Sequence, residues 1–396
     1  MKLSTLTLFL CTLLLQTFTV SAQDLTITNA RIIITDGEVI ENGSIVINDG
    51  RITYVAAGTP RNPVGNIIDA QGMTAVPGFI DAHRHINTGP DEAEKMQVLL
   101  EAGYTTILSG GGPAEGNITL REHIEKGLIN GPRIIPSGRI SLNQSPEDAR
   151  AQVRELADLG IKFTGEMALT SFPRPYIREL ETLTAIVDEA VKVGITVQVH
   201  SVSAQATMAA TRAGVKRLVH TTNKNFLTRD EAREIAEAGV MVLSLAGFGA
   251  PVFNVFNNDN IPTFRNGDVY PDSIPQTTRV PELRLGQEVG HVQVNLRTMW
   301  DAGVIVGYCT DTSFDALAGL AHELKVLNVM FSSIDLVRLM GPNTAAYINM
   351  ADDLGELAPG KLADIVLLDG DPLEGYWNLL RSKVVVKEGR VVVDKR

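Results

Sequence analysis

The stretch PGFIDAHRHI, residues 77 to 86, places two histidines one residue apart behind an apolar run. In a β-strand, residues i and i+2 project from the same face, so His83 and His85 point the same way and Arg84 points away from them. Two imidazoles in this arrangement can bind one metal ion. The pair alone is weak grounds for a metal site, because buried histidines are usually just hydrogen-bonded. Whether the pair belongs to a metal site depends on the residues elsewhere in the chain.

Residues 77 to 354 alternate short apolar strands with amphipathic helices, which is typical of a parallel sheet built from βα units. The eight candidate strands are TAVPGFIDAHRHI, YTTILSG, RIIPSG, IKFTGEM, TVQVHS, RLVHTT, VMVLSLAG and VIVGYCTD. Helices such as PEDARAQVRELADLG lie between them and several end in glycine, as a left-handed C-cap requires. Eight βα units over roughly 250 residues predict an α/β fold of the (β/α)8 TIM-barrel type, with its active site at the carboxyl ends of the strands.

Both ends of the chain have a different pattern, with short β-type runs separated by turn residues. The runs are LTITNARIIIT, SIVIND, RITYVAAG and NIIDAQG near the N-terminus, and ADIVLLDG and SKVVVKEGRVVVDKR near the C-terminus. Neither end has enough strands to bury a core alone. We therefore expect a small β-sandwich made of residues 23–76 plus 355–396, beside a barrel of residues 77–354.

The first 22 residues have the features of a secretory signal peptide. Lys2 precedes an apolar run, and Val20, Ser21 and Ala22 supply the small residues of a cleavage site. We therefore expect a periplasmic or secreted protein without a membrane anchor in its mature form. Cleavage after residue 22 would leave Cys309 as the single cysteine, which excludes an intrachain disulfide.

The charge balance argues against two classes of partner. The chain carries a formal net charge of −11 and has no dense cluster of lysine and arginine. Nucleic acids and anionic membranes are bound by concentrated positive surfaces, so neither is an expected partner.

Four further metal-binding residue types fall at the carboxyl ends of predicted strands. Glu166 ends IKFTGEM, His200 ends TVQVHS, His220 ends RLVHTT and Asp311 ends VIVGYCTD. Together with the histidine pair on strand one, they make six candidate ligands on strands one, four, five, six and eight. Zinc favours imidazole and carboxylate, and a set of this size can hold two ions with a bridging carboxylate. The other histidines, on helices or in the long connection after strand seven, are expected to have surface or supporting roles: His123, His291 and His322.

This pattern resembles the metal-dependent amidohydrolase superfamily, in its enamidase-like and imidazolonepropionase-like branch. The flanking sequences VPGFIDAHRH and GPNTAAYINMADDLGELAPGKLADIVLLDGDPL are similar to that family too, so the resemblance covers nearly the whole mature chain. It implies two divalent ions, expected to be zinc, and a small-molecule substrate. The implied metal ligands are His83, His85, Glu166, His200, His220 and Asp311.

The bridging group on strand four is where this sequence departs from many members, which use a carboxylated lysine. Lys162 and Glu166 are both available, but at about 3.3 Å per residue they stand about 13 Å apart, so only one can bridge. The pair Gly165–Glu166 resembles the enamidase-like branch and favours Glu166. Lys162 would then be a cation deep in the barrel, paired with a carboxylate.

Two adjacent ions can share a water and lower its pKa until hydroxide is available near neutrality. Asp311 would accept the proton and pass it to the leaving nitrogen, and His220 could stabilise the oxyanion as well as bind metal. We therefore expect an exported amidohydrolase that uses a metal-bound hydroxide to hydrolyse a linear or cyclic amide-type C–N bond.

Three alternatives stay open on the sequence. A mononuclear deaminase of the same fold needs an acid–base glutamate near the strand-five histidine, and HSVSA offers none. A lactonase would use the same site on an ester carbonyl. A non-catalytic binding protein would be expected to lack some ligands or Asp311.

Three other segments have two interpretations each. The glycine run of residues 109–113 allows close backbone approach to a substrate, or is only a tight turn. Arg139 could hold a carboxylate or carbonyl, or form a surface salt bridge. Residues 248–290 form a substrate lid or a homo-oligomer contact, because they are rich in aromatic residues: Phe248, Phe253, Phe256, Phe264 and Tyr270.

Overall fold

A computed structural model describes residues 24–35, 37–247, 282–311 and 315–396, with the backbone alone for 282–289. The predicted signal peptide lies outside these residues. So do the aromatic residues of the predicted lid or contact segment.

Strands from the two ends of the chain form one mixed sheet. Its order is β18-β17-β16-β5-β1-β2-β3, and β4 pairs with β1. The strands are β1 (Leu25–Ile33), β2 (Val39–Asn48), β3 (Arg51–Ala57), β4 (Asn66–Asp69), β5 (Thr74–Pro77), β16 (Ile365–Leu368), β17 (Ser382–Lys387) and β18 (Arg390–Asp394). The antiparallel pairing of β5 with β16 joins the N-terminal and C-terminal segments. The division of this sheet into the two layers of a sandwich stays a prediction.

The alternating apolar residues of these strands explain why both ends are needed. Ile27 and Ile45 from the N-terminal strands belong to the same buried cluster as Ile365, Leu367 and Val384 from the C-terminal strands. Each of these side chains is fully buried. Burial of an aliphatic side chain contributes about 1.5–3 kcal/mol, and neither segment could provide that burial by itself.

The middle of the chain forms parallel strands only. Hydrogen bonding groups them into three sheets, β6-β7-β8, β9-β10 and β11-β12-β13-β14-β15. The strands are β6 (Phe79–Arg84), β7 (Tyr104–Ser109), β8 (Arg133–Ile135), β9 (Ser137–Gly138), β10 (Phe163–Thr164), β11 (Met167–Ala168), β12 (Gln198–His200), β13 (Arg217–Leu218), β14 (Met241–Leu243) and β15 (Ile305–Gly307).

Short interruptions and single backbone hydrogen bonds relate the three sheets to one another. Pro136, which has no N–H to donate, separates β8 from β9, and two residues separate β10 from β11. The N–H of Ala82 in β6 donates to the carbonyl of Tyr308, just after β15, at 3.2 Å. The first and last parallel strands are therefore neighbours.

The structure corrects one predicted strand. TAVPGFIDAHRHI is not continuous: β5 ends at Pro77 in the terminal sheet, and β6 begins at Phe79 in the parallel part. Gly78 lies between them and packs so closely that an added Cβ would be 2.3 Å from Thr105 Oγ1. The strand candidate therefore serves two sheets.

Helices connect the parallel strands and begin at capping residues that the sequence provides. The Ser145 side chain accepts a hydrogen bond from the Asp148 N–H, and Thr228 forms a capping box with Glu231. The α-helices are Glu92–Ala102, Ala114–Glu125, Pro146–Asp158, Ile177–Val193, Ala204–Arg212, Arg229–Glu237, Glu282–Asp301, Ala316–Leu327, Ser333–Arg338 and Thr344–Tyr347, with a π-helical turn at Leu339–Asn343 and a 3-10 helix at Tyr376–Leu380.

Within the residues that the structure describes, no helix has both the length and the apolar composition that crossing a bilayer requires.

Arg133 links the parallel part to the terminal sheet. Its guanidinium donates to Asp364 Oδ2 at 2.7 Å and to Glu388 Oε1 at 2.6 Å. The Arg133 side chain is 15% exposed and the Asp364 side chain 5%. The ion pair is therefore largely shielded from water, where the loss of one partner leaves the other charge poorly solvated.

We expect Arg133→Met to lower the free energy of unfolding by about 3–5 kcal/mol, because it leaves the buried Asp364 carboxylate without its cation. Urea denaturation followed by circular dichroism measures the change. The control is Arg212→Met, which removes an exposed ion pair with Glu234 and should leave the unfolding midpoint nearly unchanged. Equal losses in both variants would contradict this role for Arg133.

Candidate metal centre

The six candidate ligands lie at or just beyond the carboxyl ends of the parallel strands. His83 is within β6 and His200 is the last residue of β12. His85 follows β6 by one residue, His220 follows β13 by two and Asp311 follows β15 by four. The sixth ligand, Glu166, lies in the interruption between β10 and β11.

One oxygen of the Glu166 carboxylate faces the histidines of strands five and six. Oε2 is 3.0 Å from His200 Nδ1 and 2.9 Å from His220 Nε2. The ligand atoms of these three residues all lie within 4.8 Å of one another. They form the first of two ligand groups.

The other oxygen of Glu166 faces the histidine pair of strand one. Oε1 is 3.8 Å from His83 Nε2 and 3.6 Å from His85 Nε2. Asp311 Oδ1 approaches the same pair, at 3.4 Å from His83 Nε2 and 3.0 Å from His85 Nε2. This second group shares its glutamate with the first, which is the arrangement that a bridging carboxylate requires.

The spacing and chemistry of these atoms fit divalent metal ions. Tetrahedral bonds of about 2.1 Å place ligand atoms about 3.4 Å apart, close to the observed separations. His83 is fully buried, and its Nε2 has no hydrogen-bond partner among the described residues. A buried imidazole nitrogen normally has a partner, so this atom is suited to a metal bond.

The charges around the cluster also favour a cation. Burial alone would raise the pKa of Glu166, but hydrogen bonds from His200 and His220 outweigh it and hold that pKa below its usual range. Hydrogen bonds to Asp311 and Glu166 raise the pKa of His85 to about 10. Burial lowers the pKa of His220 to about 4. Ionised carboxylates thus stand beside an imidazole whose neutral, metal-binding form is favoured.

Lys162 has no place in this cluster. Its side chain is exposed, and its backbone carbonyl accepts a hydrogen bond from the N–H of Thr196 at 2.8 Å. The prediction that Lys162 is a cation deep in the barrel is wrong, because the chain presents it to solvent before β10 begins. Glu166 is the strand-four residue that contacts the histidines.

A buried carboxylate that sequence reasoning missed holds strand one against the loop after strand eight. Asp81 accepts hydrogen bonds from the His83 N–H at 3.1 Å, the Thr310 N–H at 3.2 Å and the Thr310 hydroxyl at 2.5 Å. Burial raises the pKa of Asp81. The available signal was an acidic residue inside the apolar run FIDAHRH.

The backbone of Asp311 is strained and fixed in place. Its φ is +48°, in the left-handed region that non-glycine residues rarely adopt, and its N–H donates to the His83 carbonyl at 2.9 Å. Arg84, which lies between His83 and His85 in the sequence, donates to Thr310 Oγ1 at 3.0 Å. Its side chain therefore lies apart from the candidate ligands. These contacts set the position of the Asp311 carboxylate before any ligand binds.

The glycine run after β7 packs against the ligands themselves. A Cβ on Gly110 would lie 2.7 Å from the His83 ring. The Gly110 carbonyl accepts a hydrogen bond from the Glu166 N–H at 3.3 Å, and its own N–H donates to the Arg84 carbonyl at 3.0 Å. The backbone of Gly110 thus contacts both the His83 ring and the Glu166 backbone.

The remaining histidines lie outside the ligand groups. His123 contacts Glu92, and His291 contacts the Asn223 carbonyl from the helix Glu282–Asp301, which begins inside the predicted connection. The third, His322, lies on the helix Ala316–Leu327 and is buried.

The helix after strand eight also carries a buried carboxylate that the sequence did not indicate. Glu323 accepts hydrogen bonds from the Ser244 hydroxyl at 2.5 Å, the Ala246 N–H at 2.8 Å and the Gly247 N–H at 2.5 Å. Burial raises its pKa to about 7. It fixes the chain just after β14. The free thiol of Cys309 is buried after β15.

Comparison with known proteins identifies the family. The model of the amidohydrolase family matches residues 74–392, and the chain belongs to this family. The prediction of a metal-dependent hydrolase of carbon–nitrogen bonds other than peptide bonds is confirmed at this level.

Three distant relatives and structural neighbours match most of the chain. An imidazolonepropionase of Bacillus velezensis is 23% identical over 363 residues, covering 83% of this chain and 84% of its own. A dihydroorotase of Desulforapulum autotrophicum is 22% identical over 357 residues, covering 77% and 79%. The structure of a putative prolidase from Bifidobacterium longum superposes with a TM-score of 0.79 at 23% identity, covering 95% of this chain and 97% of that one. Such neighbours imply the TIM-barrel fold.

We expect Glu166→Gln to reduce the metal content of purified protein strongly, because an amide binds metal more weakly than a carboxylate does. Lys162→Met is the control and should leave the metal content unchanged, because Lys162 is exposed. Elemental analysis after gel filtration measures both. The opposite result, with metal binding that depends on bicarbonate, would assign the bridge to a carboxylated Lys162.

Proposed function

We propose that this protein is a binuclear metal hydrolase that cleaves a linear or cyclic amide-type C–N bond of a small molecule. The observation that carries the proposal is the position of Glu166, with one oxygen directed at His200 and His220 and the other at His83 and His85. In a mononuclear site only one of these oxygens would bind the metal.

The proposed ions are zinc, since nitrogen and oxygen donors in compact groups suit that metal. His83, His85 and Asp311 would hold one ion, His200 and His220 the other, and Glu166 both. When bound, the ions would activate a water and polarise the substrate carbonyl.

Asp311 is the group we assign to proton movement. The His83 carbonyl and the left-handed backbone fix its position, so its carboxylate can take a proton from the attacking water and deliver it to the leaving nitrogen. His220 is 3% exposed and its Nδ1 has no hydrogen-bond partner among the described residues. We assign it to metal binding and to stabilisation of the oxyanion.

The proposal includes the finer architecture. The three parallel sheets would form one closed (β/α)8 barrel over residues 77–354, supported by the hydrogen bond from Ala82 to Tyr308 between first and last strands. Residues 23–76 and 355–396 would form the sandwich, supported by the cluster that unites Ile45 with Val384.

We also propose that the protein is exported to the periplasm or secreted. The support is the sequence of residues 1–22, with Lys2, an apolar run and the small residues Val20, Ser21 and Ala22. Mass spectrometry of the protein from its natural host should find Gln23 as the first residue.

We expect Asp311→Asn to lower kcat by about 10²–10⁴-fold, because an amide cannot accept the proton. The fold should be preserved, as judged by circular dichroism. The control is Asp352→Asn, which makes the same chemical change at an exposed position and should keep the wild-type rate. If Asp311→Asn kept most of the activity, another residue would have to move the proton.

We expect about two divalent ions per chain, lost together with activity on chelation and regained together on adding zinc. Elemental analysis and assays on N-acyl amino acids, dipeptides, cyclic imides and lactones measure this. Full activity in chelator, with no bound transition metal, would contradict the proposal. Activity on lactones alone would make the protein a lactonase.

A further inference from the structure

Arg139 is placed beside the candidate metal centre by two glycines. It follows β9 directly, at the carboxyl end of a parallel strand. An added Cβ on Gly165 would lie 3.3 Å from Arg139 Cγ, and one on Gly111 would lie 3.4 Å from Arg139 Nε. The arginine stem therefore packs over backbone that is one residue from Glu166 and one residue from Gly110, which contacts His83.

Gly111 and Gly165 form the surface on which the Arg139 stem packs. Gly111 has a φ of +133°, which side-chain-bearing residues rarely adopt, and its Cα is 3.0 Å from the position of a Cβ on Gly165. A Cβ on Gly165 would press slightly against the Arg139 stem, and one on Gly111 would be in ordinary van der Waals contact with it. The two glycines thus leave room for the Arg139 stem beside the loops that carry Gly110 and Glu166.

The guanidinium has no carboxylate partner in the part of the chain that the structure describes. Arg139 forms none of the ion pairs found there and is exposed to solvent. Arg133, six residues earlier, has two. The surface salt bridge considered for Arg139 is absent among those residues.

We propose that Arg139 binds a carboxylate of the substrate, so that the preferred substrates are amides that carry a free carboxylate near the scissile bond. This inference rests on the proposed amide hydrolase function. A planar guanidinium with parallel N–H donors matches a carboxylate in a bidentate manner. Because the scissile carbonyl must lie at the metal centre, a second anchor at Arg139 would fix the direction of the substrate across the site.

The test compares two probes that differ only by a carboxylate, N-benzoylglycine and N-methylbenzamide. Calorimetry on the zinc-loaded protein gives Kd for each with wild type, Arg139→Met and Arg139→Lys. Wild type should bind N-benzoylglycine more tightly than N-methylbenzamide. Arg139→Met should weaken N-benzoylglycine by about 10–100-fold and leave N-methylbenzamide unchanged, while Arg139→Lys should restore part of the loss.

Arg61→Met is the matched control, since Arg61 is an exposed arginine in the connection between β3 and β4, and it should change neither Kd. Metal content, measured alongside, should be the same in all variants. Equal affinity of wild type for the two probes, no binding of either, or a Kd for N-benzoylglycine unaffected by Arg139→Met would overturn the inference.

The outcome for Arg139 can be separated from that for the catalytic function. If N-benzoylglycine binds through Arg139 but no amide of the substrate panel is hydrolysed, the carboxylate site stands and the hydrolase proposal fails. If amides are hydrolysed and Arg139→Met changes kcat/KM equally for carboxylates and neutral amides, the hydrolase proposal stands and the role of Arg139 fails.

Discussion

The position of one carboxylate constrains the rest of this structure. Glu166 lies among four imidazoles, two facing each of its oxygens, with a second carboxylate, Asp311, against one pair. Two partly buried carboxylates this close to one another cost free energy unless positive charge compensates them. Metal ions between the ligand atoms would supply that positive charge. Every element that carries a ligand must therefore end at the same level of the fold.

Contacts made by residues outside the candidate ligand set hold the ligand-bearing strands in register with one another. Asp81 ties the backbone of His83 to Thr310, and Thr310 precedes Asp311. Gly110 sets the distance between the His83 ring and the backbone of Glu166. These residues lie outside the candidate ligand groups, but each joins two strands that are distant in sequence. The precision of the cluster thus depends on hydrogen bonds and packing between strands as much as on the ligands.

The sequence predicted that the six candidate ligands lie close together because each follows an apolar run, and the carboxyl ends of parallel strands meet at one edge. It predicted less where contacts are non-local. Nothing local shows that Asp81 reaches Thr310, that Gly110 touches His83, or that Glu323 holds Ser244. The predicted strand IKFTGEM included Lys162, whereas β10 begins only after it. The continuous apolar run around Gly78 concealed the passage from one sheet to the other.

That passage has a consequence for recombination between relatives. Only Gly78 separates β5 of the terminal sheet from β6, which carries His83, and its N–H donates to the carbonyl of Asp364 at 2.8 Å. A crossover placed there would look convenient, because it falls between two sheets. Yet the position of His83 relative to the terminal sheet depends on how β5 pairs with β16. A chimaera with a foreign β5 against the native β16 would change this pairing and displace His83, unless the two strands were exchanged together.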